Sequence, residues 1–313
     1  MNIVIIGAGG IGCYYGAKLQ QAGHNITYVA RGAHLNAMRT HGLTVVHPEF
    51  SFNDTVNAAS IDDLITHTQA VDFDLIILCI KGMHTKHIME TLHSWLNFSD
   101  DSPPVLSIQN GVSNEEVIAE HTSVNKTIGG LAIRIGGHVV SPGKIEATGV
   151  AQLVLGPWPN ESLNSHLTKK VMVLVAEFNK AKIPTQFSQD IQLELWKKLL
   201  INNGVNPISA LTNLDTKTLT SHVVYSDIVY RLMAETAAVA RAEGINITEE
   251  DIAQMYQIIS NLDGIKTSML VDKEKGRELE LEAISGIVTK KGQRHNIATP
   301  LTNLISALIQ DKL

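Results

Sequence analysis

The amino-acid sequence predicts an α/β fold in the first half of the chain and an all-helical fold in the second half. Short apolar segments alternate with helical segments in the first half, several glycines fall within the first sixteen positions, and helical spacing dominates after about residue 189. The chain has 313 residues, and at roughly 100–200 residues per domain this length suggests two domains. We therefore expect domains at 1–188 and 189–313.

Continuous apolar segments in the first half indicate strands that are buried on both faces. Such strands are expected at Ile3–Ile6, Asn25–Ala30, Leu75–Ile80 and Val105–Ile108, with a helix over Ile11–Ala22 after the first of them. Buried strands that alternate with helices are typical of a doubly wound parallel sheet.

The block from Gly129 to Gly156 has a different pattern. Gly136-Gly137 and Pro142-Gly143 separate short apolar segments, which predicts short antiparallel strands joined by hairpins. Four strands are expected, at Leu131–Ile135, Val139–Val140, Lys144–Ala147 and Gln152–Leu155.

Helical spacing covers the rest of the chain. A helix is expected at 167–180, and in the second half helices are expected at 190–203, 222–243, 248–260, 275–291 and 299–311. Pro207 lacks a backbone N–H and should kink or end the helix that contains it. The apolar residues of 222–243, from Val223 to Met233, are interpreted as a core-facing set.

The composition excludes several classes of protein. With 25 Lys and Arg against 31 Asp and Glu, the net charge is -6, so no basic surplus is available for nucleic acid. Two cysteines, Cys13 and Cys79, are too few for a disulfide framework and are interpreted as buried thiols. No apolar run reaches the roughly 20 residues of a membrane helix, and no signal peptide is evident. A cytoplasmic protein without a membrane partner is expected, and the scattered histidines predict no metal site.

The turn after the first strand carries a glycine-rich motif. Its residues are Gly7, Ala8, Gly9, Gly10, Ile11 and Gly12. Between a strand and a helix, this GxGxxG pattern predicts a Rossmann-type dinucleotide site. The first glycine allows the tight turn, the second lets the backbone approach a pyrophosphate, and the third allows close packing of helix and strand. The alternative is an ordinary glycine-containing turn.

Arg31 follows the second strand, where an NAD site usually has an acidic residue that binds the ribose 2′-OH. A guanidinium suits the 2′-phosphate of NADP instead, because it forms charge-assisted bidentate bonds. The sequence therefore favours NADP over NAD. The alternative is a solvated surface arginine.

Polar residues also follow two further strands. Lys81 comes after Leu75–Ile80, and Asn110 comes after Val105–Ile108. Ligands of open α/β sheets bind at the carboxyl ends of the strands, so both residues are candidates for the cleft. For Asn110 the alternative is a plain Asn-Gly turn with Gly111.

A polar stripe crosses the first helix of the second half. Lys198, Asn202 and Asn206 recur every four residues and share one face of an otherwise apolar helix. Asparagine is a poor helix former, and a solvated face would carry more charge. Because functional sites are where such local rules are broken, the stripe is a candidate site.

Taken together, these motifs resemble the ketopantoate reductase family (2-dehydropantoate 2-reductases) over essentially the whole chain. The matching motifs are Gly7–Gly12, Arg31, Lys81, Gln109-Asn110-Gly111, Trp196-Lys197-Lys198-Leu199, Asn202, Asn206-Pro207, Thr267-Ser268-Met269-Leu270 and Glu280. The resemblance implies reduction of a branched 2-oxo acid by hydride transfer from NADPH. It also suggests a homodimer.

The resemblance assigns roles to single residues. Lys198 matches the general acid, and Glu280 matches a second catalytic residue. Asn202, Asn206 and Ser268 match positions that contact the substrate. By the same resemblance, Arg31 binds the 2′-phosphate, while Lys81 and Asn110 lie where cofactor and substrate meet.

The residue types suit that chemistry. Hydride attack on a ketone builds negative charge on its oxygen, and an ammonium group can stabilise this charge and then donate the proton. One position departs from the family pattern, since Thr216 stands where a substrate-contacting asparagine can be found. Two alternatives therefore remain: a paralogous reductase that uses another branched 2-oxo acid, and a non-catalytic NADP-binding regulatory protein.

Overall fold

A computed structural model describes residues 1–96, 101–163 and 165–311. The chain forms two compact units. The first unit contains Met1–Gln109 and Asn114–Ile191, and the second contains Asn110–Ser113 and Gln192–Leu313. The first unit is α/β and the second is helical, so the predicted fold class is confirmed.

The first unit contains one sheet, with ten strands among the described residues. The strands are β1 (Asn2–Ile6), β2 (Asn25–Val29), β3 (Leu43–His47), β4 (Phe50–Asp54), β5 (Asn57–Ala59), β6 (Leu75–Leu78), β7 (Val105–Ser107), β8 (Thr127–Ser141), β9 (Lys144–Pro157) and β10 (Thr185–Phe187). Their order is β4-β3-β9-β8-β7-β6-β1-β2-β5, and β10 pairs with β9. The part from β5 to β8 is parallel throughout.

Helices follow most of these strands. They are α1 (Gly10–Gln21), α2 (Gly32–His41), α3 (Ile61–His67), α4 (Thr85–Leu96), α5 (Asn114–His121) and α6 (Ser165–Lys180). The chain passes from β1 to β2 and β5 on one side and to β6 on the other, so the direction of winding reverses beside β1. In open α/β sheets this reversal marks the ligand crevice.

The first strand shows why the sheet is buried on both faces. Along β1, Ile3 and Ile5 belong to one apolar cluster, whereas Val4 and Ile6 belong to the cluster on the other side. Successive side chains of a strand point to opposite faces, so a continuous apolar run needs cover on both.

The predicted set of four short strands between 129 and 156 is wrong in number but right in direction. Two long antiparallel strands, β8 and β9, form a single hairpin whose turn contains Gly143 at φ 76°. Gly136 and Gly137 do not turn the chain, because they pair with Thr148 and Ala147 within the ladder. The pairing of β8 with β9 is irregular at two other places, between Ile133 and Ile135 and between Val139 and Ser141. Arg134 lies at the first of them and adopts φ 53°.

The second unit consists of helices in the part of the chain that the structure describes. They are α7 (Ile191–Thr212), α8 (Thr216–Ser221), α9 (Val223–Ala242), α10 (Glu249–Asn261), α11 (Ser268–Glu274), a π-helical turn (Glu282–Gly286), α12 (Ile287–Arg294) and α13 (Pro300–Gln310). None of the described helices combines the length and the hydrophobicity that crossing a membrane requires.

Three sequence predictions differ from these helices. Helix α7 continues past Pro207 to Thr212, so the proline does not end it. The helix predicted at 275–291 begins later than expected, because Gly276 adopts φ 62° just after α11 and the chain is not helical again until just before the π-helical turn. The core-facing interpretation of 222–243 holds for Met233, which is buried, but Val223 is 86% exposed.

A buried ion cluster joins α12 to the end of α9. The Nζ atom of Lys291 lies 2.6 Å from one carboxylate oxygen of Glu243, and Nε2 of His295 lies 2.5 Å from the other. Burial alone would raise the pKa of Glu243, but the hydrogen bonds from Lys291 and His295 outweigh it and hold the pKa below its usual value. The side chains of Lys291 and Glu243 are 6% and 12% exposed, so removal of the carboxylate deprives a buried ammonium group of this partner.

We expect Glu243→Gln to lower the free energy of unfolding by about 3 kcal/mol at pH 7, as for other broken buried pairs. A carboxylate whose pKa is depressed on folding contributes stability above its unfolded pKa and loses that contribution as the pH falls through the folded value. The difference in thermal stability between wild type and variant should therefore shrink in acid. Thermal unfolding at pH 7 and near pH 4 measures this difference. Arg231→Gln, which removes an exposed i,i+4 pair with Asp227, is the control and should change stability by less than about 1 kcal/mol.

Candidate active site

The glycine-rich turn has the geometry that its sequence predicts. Gly7 adopts φ 100°, and a Cβ atom there would lie 2.8 Å from the backbone of Cys79 and Ile80. The amide of Gly9 donates to the carbonyl of Gly7 at 2.7 Å, which closes the turn. A Cβ at Gly12 would lie 2.4 Å from the carbonyl oxygen of Gly7, so helix and strand need glycine there to pack.

Gly9 differs from the neighbouring glycines because the position that a side chain would occupy is open space. A Cβ at Gly9 would meet nothing within 4 Å, and its backbone is extended, a conformation that any residue can adopt. Nothing within the chain therefore requires glycine here. A ligand that approaches the backbone closely does require it.

The start of α1 can bind an anion. No side chain caps this helix, and its first turn contains no acidic residue. The first amides of a helix have no partner within the helix, and its dipole places positive charge at this end. The turn and the helix together therefore fit the pyrophosphate of a dinucleotide.

Gly10 reveals a contact that the sequence reasoning missed. A Cβ at Gly10 would lie 2.1 Å from the backbone of Gly137 on β8, so the long hairpin packs against the first turn of α1. The glycine pair at 136–137, taken in the sequence as a sign of a turn, is the signal that could have indicated this close approach. Gly137 therefore supports the glycine-rich turn.

Arg31 lies between β2 and α2 as the N-cap residue of α2, and it is exposed. Among the described residues its guanidinium makes no hydrogen bond or ion pair. By contrast, Arg39 in the same helix is paired with Asp63. Arg31 thus offers its guanidinium to solvent or to a ligand.

Lys81 follows β6 and is half-buried, just before a short 3-10 helix at Gly82–His84. The contact of Gly7 with Cys79 and Ile80 brings this segment next to the glycine-rich turn. Gln109 fixes the segment, since its Nε2 donates to the carbonyl of Ile80 at 3.0 Å.

The second unit brings together two residues that are 170 positions apart. The Nδ2 atom of Asn110 donates to a carboxylate oxygen of Glu280 at 2.9 Å. Gly111 adopts φ 100°, and a Cβ there would lie 2.9 Å from the carbonyl oxygen of Ala283, so glycine allows this approach. The plain Asn-Gly turn therefore accounts for Gly111, while the side chain of Asn110 binds Glu280.

The polar stripe lies on α7. Lys198 and Asn202 are half-buried, whereas Asn206 is 5% exposed. At 1.5 Å per residue, the eight positions from Lys198 to Asn206 span about 12 Å. Within the described part of the chain, the side-chain amides of Asn202 and Asn206 have no hydrogen-bond partner. Both amides are therefore available to a ligand that reaches this face of α7.

The neighbouring Lys197 has a different role. Its Nζ lies 2.8 Å from a carboxylate oxygen of Asp251, the residue that also forms the capping box of α10 with Thr248. Burial acts to raise the pKa of Asp251, but hydrogen bonds from Lys197 and Thr248 outweigh it and lower the pKa. The two adjacent lysines are thus distinguishable, since Lys197 joins α7 to α10.

Ser268 and Thr216 lie on neighbouring parts of the second unit. Ser268 is the exposed first residue of α11, after the N-cap Thr267. Thr216 is 1% exposed, and its hydroxyl accepts from the amide of Ile265 at 3.2 Å. Thr216 therefore anchors the segment before Ser268, and its side chain is closed to solvent.

Comparisons with known proteins identify the family. A family model described as "Ketopantoate reductase PanE/ApbA" matches residues 3–160, and a model of the C-terminal part of the same family matches residues 190–313. The chain belongs to the ketopantoate reductase family. It is thus an oxidoreductase of the type that acts on the CH–OH group of 2-hydroxy acids.

Individual relatives cover the whole chain. The 2-dehydropantoate 2-reductase of Pyrococcus abyssi is 30% identical over 100% of this chain and 98% of its own length. A PanE/ApbA family ketopantoate reductase from Ralstonia eutropha is 27% identical, with a TM-score of 0.86 and coverage of 100% and 99%. A D-mandelate dehydrogenase solved with NADH and anilino(oxo)acetate has a TM-score of 0.89 at 22% identity, with coverage of 100% and 98%, and shows the fold alone.

The site residues from the sequence are thus distributed over the two units. The first unit holds the glycine-rich turn, Arg31 and Lys81, and the second holds Asn110, Glu280, the stripe on α7 and Ser268. No group of His, Cys, Asp and Glu within the described residues has the arrangement of a metal site.

We expect Gly9→Ala and Gly12→Ala to differ in stability. Gly9→Ala should leave the thermal stability of the protein almost unchanged, because the added methyl meets no atom of the chain. Gly12→Ala should lower stability by about 1–3 kcal/mol, typical of overpacking, because its methyl collides with the carbonyl of Gly7. Thermal unfolding of both variants tests the pair, and equal losses would contradict the geometry of the turn.

Proposed function

We propose that this protein reduces 2-dehydropantoate to pantoate, with NADPH as the hydride donor and Lys198 as the general acid. The hydride forms the new C–H bond at the ketone carbon, and a proton from the lysine completes the hydroxyl group. The observation that carries the proposal is the unpaired amide of Asn206, a residue that is 5% exposed and lies on the same helix face as Lys198. Membership of the family supplies the reaction class.

In this proposal, the domain over 1–188 binds the dinucleotide, which supplies the hydride when bound. The amides of Gly10, Ile11 and Gly12, in the first turn of α1, donate to the pyrophosphate, and the open side of Gly9 leaves room for it. The amides of Gly7 and Ala8 instead donate to the carbonyl of Val29 and hold the turn in place. Arg31 pairs with the 2′-phosphate. Membership of the ketopantoate reductase family supports a nicotinamide cofactor, while the exposed, unpaired guanidinium of Arg31 supports the phosphorylated form.

The domain over 189–313, together with Asn110, binds the acid. The amides of Asn202 and Asn206 donate to the substrate's oxygens, as does the exposed hydroxyl of Ser268. Lys198, one helical turn before Asn202, stabilises the negative charge that develops on the ketone oxygen. Lys81, beside the glycine-rich turn, adds a positive charge on the cofactor's side of the reaction.

In this proposal, Glu280 orients a hydrogen-bond partner and does not itself transfer a proton. The hydrogen bond from Asn110 occupies one of its carboxylate oxygens and fixes the plane of the group. The other oxygen can accept a hydrogen bond from a substrate hydroxyl or from an ammonium group. A hydrogen bond to a charged group contributes about 1.5–3 kcal/mol, which is enough to define this orientation.

The test is turnover of 2-dehydropantoate, followed by the absorbance of the reduced nicotinamide, beside a panel of other branched 2-oxo acids and with NADH as the control. Turnover of 2-dehydropantoate with NADPH supports the proposal. Turnover of another acid alone would instead identify a paralogous reductase. Tight NADPH binding without turnover of any acid would identify a regulatory protein.

The proposal includes a cytoplasmic location and a homodimer. The two cysteines are free thiols, and burial raises the pKa of both Cys13 and Cys79, so they suit a reducing compartment without being reactive. Cell fractionation tests the location. Light scattering after size exclusion tests the dimer, and a mass near 34.1 kDa would rule it out.

We expect Arg31→Gln to raise KM for NADPH about 10- to 100-fold, because a charge-assisted hydrogen bond of about 1.5–3 kcal/mol is lost. KM for NADH should change less than about threefold, since NADH carries no group for the guanidinium to bind. Arg39→Gln, in the same helix but paired with Asp63, is the matched control and should alter neither value. An equal loss for both cofactors would contradict the assigned role of Arg31.

We expect Lys198→Ala to lower kcat by about 10²–10⁴-fold, the usual contribution of general acid catalysis. The adjacent Lys197→Ala is the control, because it removes the ion pair with Asp251 and leaves the stripe intact. Lys197→Ala should lower the thermal stability while kcat stays within a few-fold of wild type. Comparable losses of kcat in both variants would remove Lys198 from its assigned role.

A further inference from the structure

Asn203 is wholly buried within α7, beside Asn202 and between the substrate-binding positions of the stripe. Its amide reaches three other elements of the second unit. The Oδ1 atom accepts from the hydroxyl of Ser285 at 2.7 Å. The Nδ2 atom donates to the hydroxyl oxygens of Thr236 and Thr302 at 2.9 and 3.3 Å.

The direction of these hydrogen bonds is fixed by their surroundings. The hydroxyl of Thr236 donates to the carbonyl of Leu232 at 2.8 Å, and that of Thr302 donates to a carboxylate oxygen of Glu235 at 2.7 Å. Each hydroxyl has one proton, so both threonine oxygens can only accept from Asn203. The amide oxygen of Asn203 is thus left for Ser285, and the side chain has a single orientation.

Ser285 connects this network to Glu280. It lies in the π-helical turn at Glu282–Gly286, and the amide of Ile284 in that turn donates to the carbonyl of Glu280 at 3.1 Å. Single π-helical turns are frequent at functional sites. The bond from Ser285 to Asn203 therefore ties the turn that follows Glu280 to the helix that carries Lys198.

The backbone at this point of α7 is unusual as well. Pro207 has no N–H, so it removes the regular helical hydrogen bond to the carbonyl of Asn203. A Cβ at Gly204 would lie 2.8 Å from the side chain of Met233, so α7 and α9 approach closely at the next residue. The side chain of Asn203 thus holds α7 in place where its own backbone ladder is interrupted.

We propose that Asn203 is a positioning residue for the reaction, and that it holds the Glu280 turn in register with the Lys198 helix through Ser285. The inference rests on the proposed function. Asn203 acts only through other residues, because it is fully buried among side chains of the second unit. Its influence should therefore appear in the chemical step and not in the binding of NADPH.

Two variants that each remove one hydrogen bond of Asn203 test the inference. Ser285→Ala breaks the connection to the Glu280 turn, whereas Thr302→Val breaks the connection to α13, and both sites are 1% exposed. Ser285→Ala should lower kcat by about tenfold and shift its pH profile, with KM for NADPH unchanged, because small displacements of catalytic groups are costly. Thr302→Val should lower thermal stability but leave kcat and the pH profile unchanged. Ser285→Thr, which keeps the hydroxyl, should restore kcat.

Hydrogen exchange followed by mass spectrometry gives a readout that needs no turnover. Amides of the 279–288 segment should exchange faster in Ser285→Ala than in wild type, whereas Thr302→Val should leave that segment unchanged. Equal losses of kcat in the two variants, or unaltered exchange in Ser285→Ala, would overturn the inference. A wild-type protein that reduces no 2-oxo acid would overturn the proposed function and the catalytic part of this inference, while exchange would still decide whether Asn203 holds the turn.

Discussion

The hydrogen bond between Asn110 and Glu280 constrains the second unit more than any local feature does. It joins the short segment after β7 to a residue 170 positions later. Such a contact depends on the tertiary fold, because no local pattern of either segment brings the two residues together. The two segments can approach each other closely because Gly111 has no side chain. A Cβ atom at that position would collide with the carbonyl oxygen of Ala283. The carboxylate therefore depends on a glycine for its position as well as on its amide partner.

In the proposed function, the two units supply polar groups to their ligands in different ways. In the first, the donors are backbone amides at the start of α1, and glycines give access to them. In the second, the donors are side chains, and asparagines on α7 are placed among apolar neighbours. Buried amides without partners destabilise a fold by about 1–3 kcal/mol each. The neighbouring Asn203 adds no such cost, because its amide donates to Thr236 and Thr302 and accepts from Ser285.

The sequence predicts the parts of the fold that depend on local pattern. The parallel strands are recognisable because a strand covered on both faces is apolar throughout, and the turn at Gly7 is recognisable because the conformation needs glycine. The ends of the helices in the second unit are less predictable. The 275–291 segment has helical spacing, yet Gly276 stops regular helix and the π-helical turn follows. Likewise, Gly136 and Gly137 signal a turn by local preference, but their place in the sheet is decided by the packing of α1.

In the candidate site, too, some residues can be recognised from local pattern and others only from the folded chain. Arg31 and the stripe on α7 are visible from spacing, whereas Glu280 looks like a surface residue until its partner Asn110 is known. Asn203 was hidden for a related reason, since only the folded chain distinguishes its paired amide from the unpaired one of Asn206.

In the proposed function, the groups that select the cofactor and those that select the acid belong to different units, so each set can change without the other. Arg31 stands outside the second unit, so a reductase of this kind can exchange its 2-oxo acid while keeping its dinucleotide. Thr216 illustrates the limit of that freedom. Its side chain is buried against the segment before Ser268, so in the proposed function a substitution there acts through the position of Ser268 and not through a contact of its own.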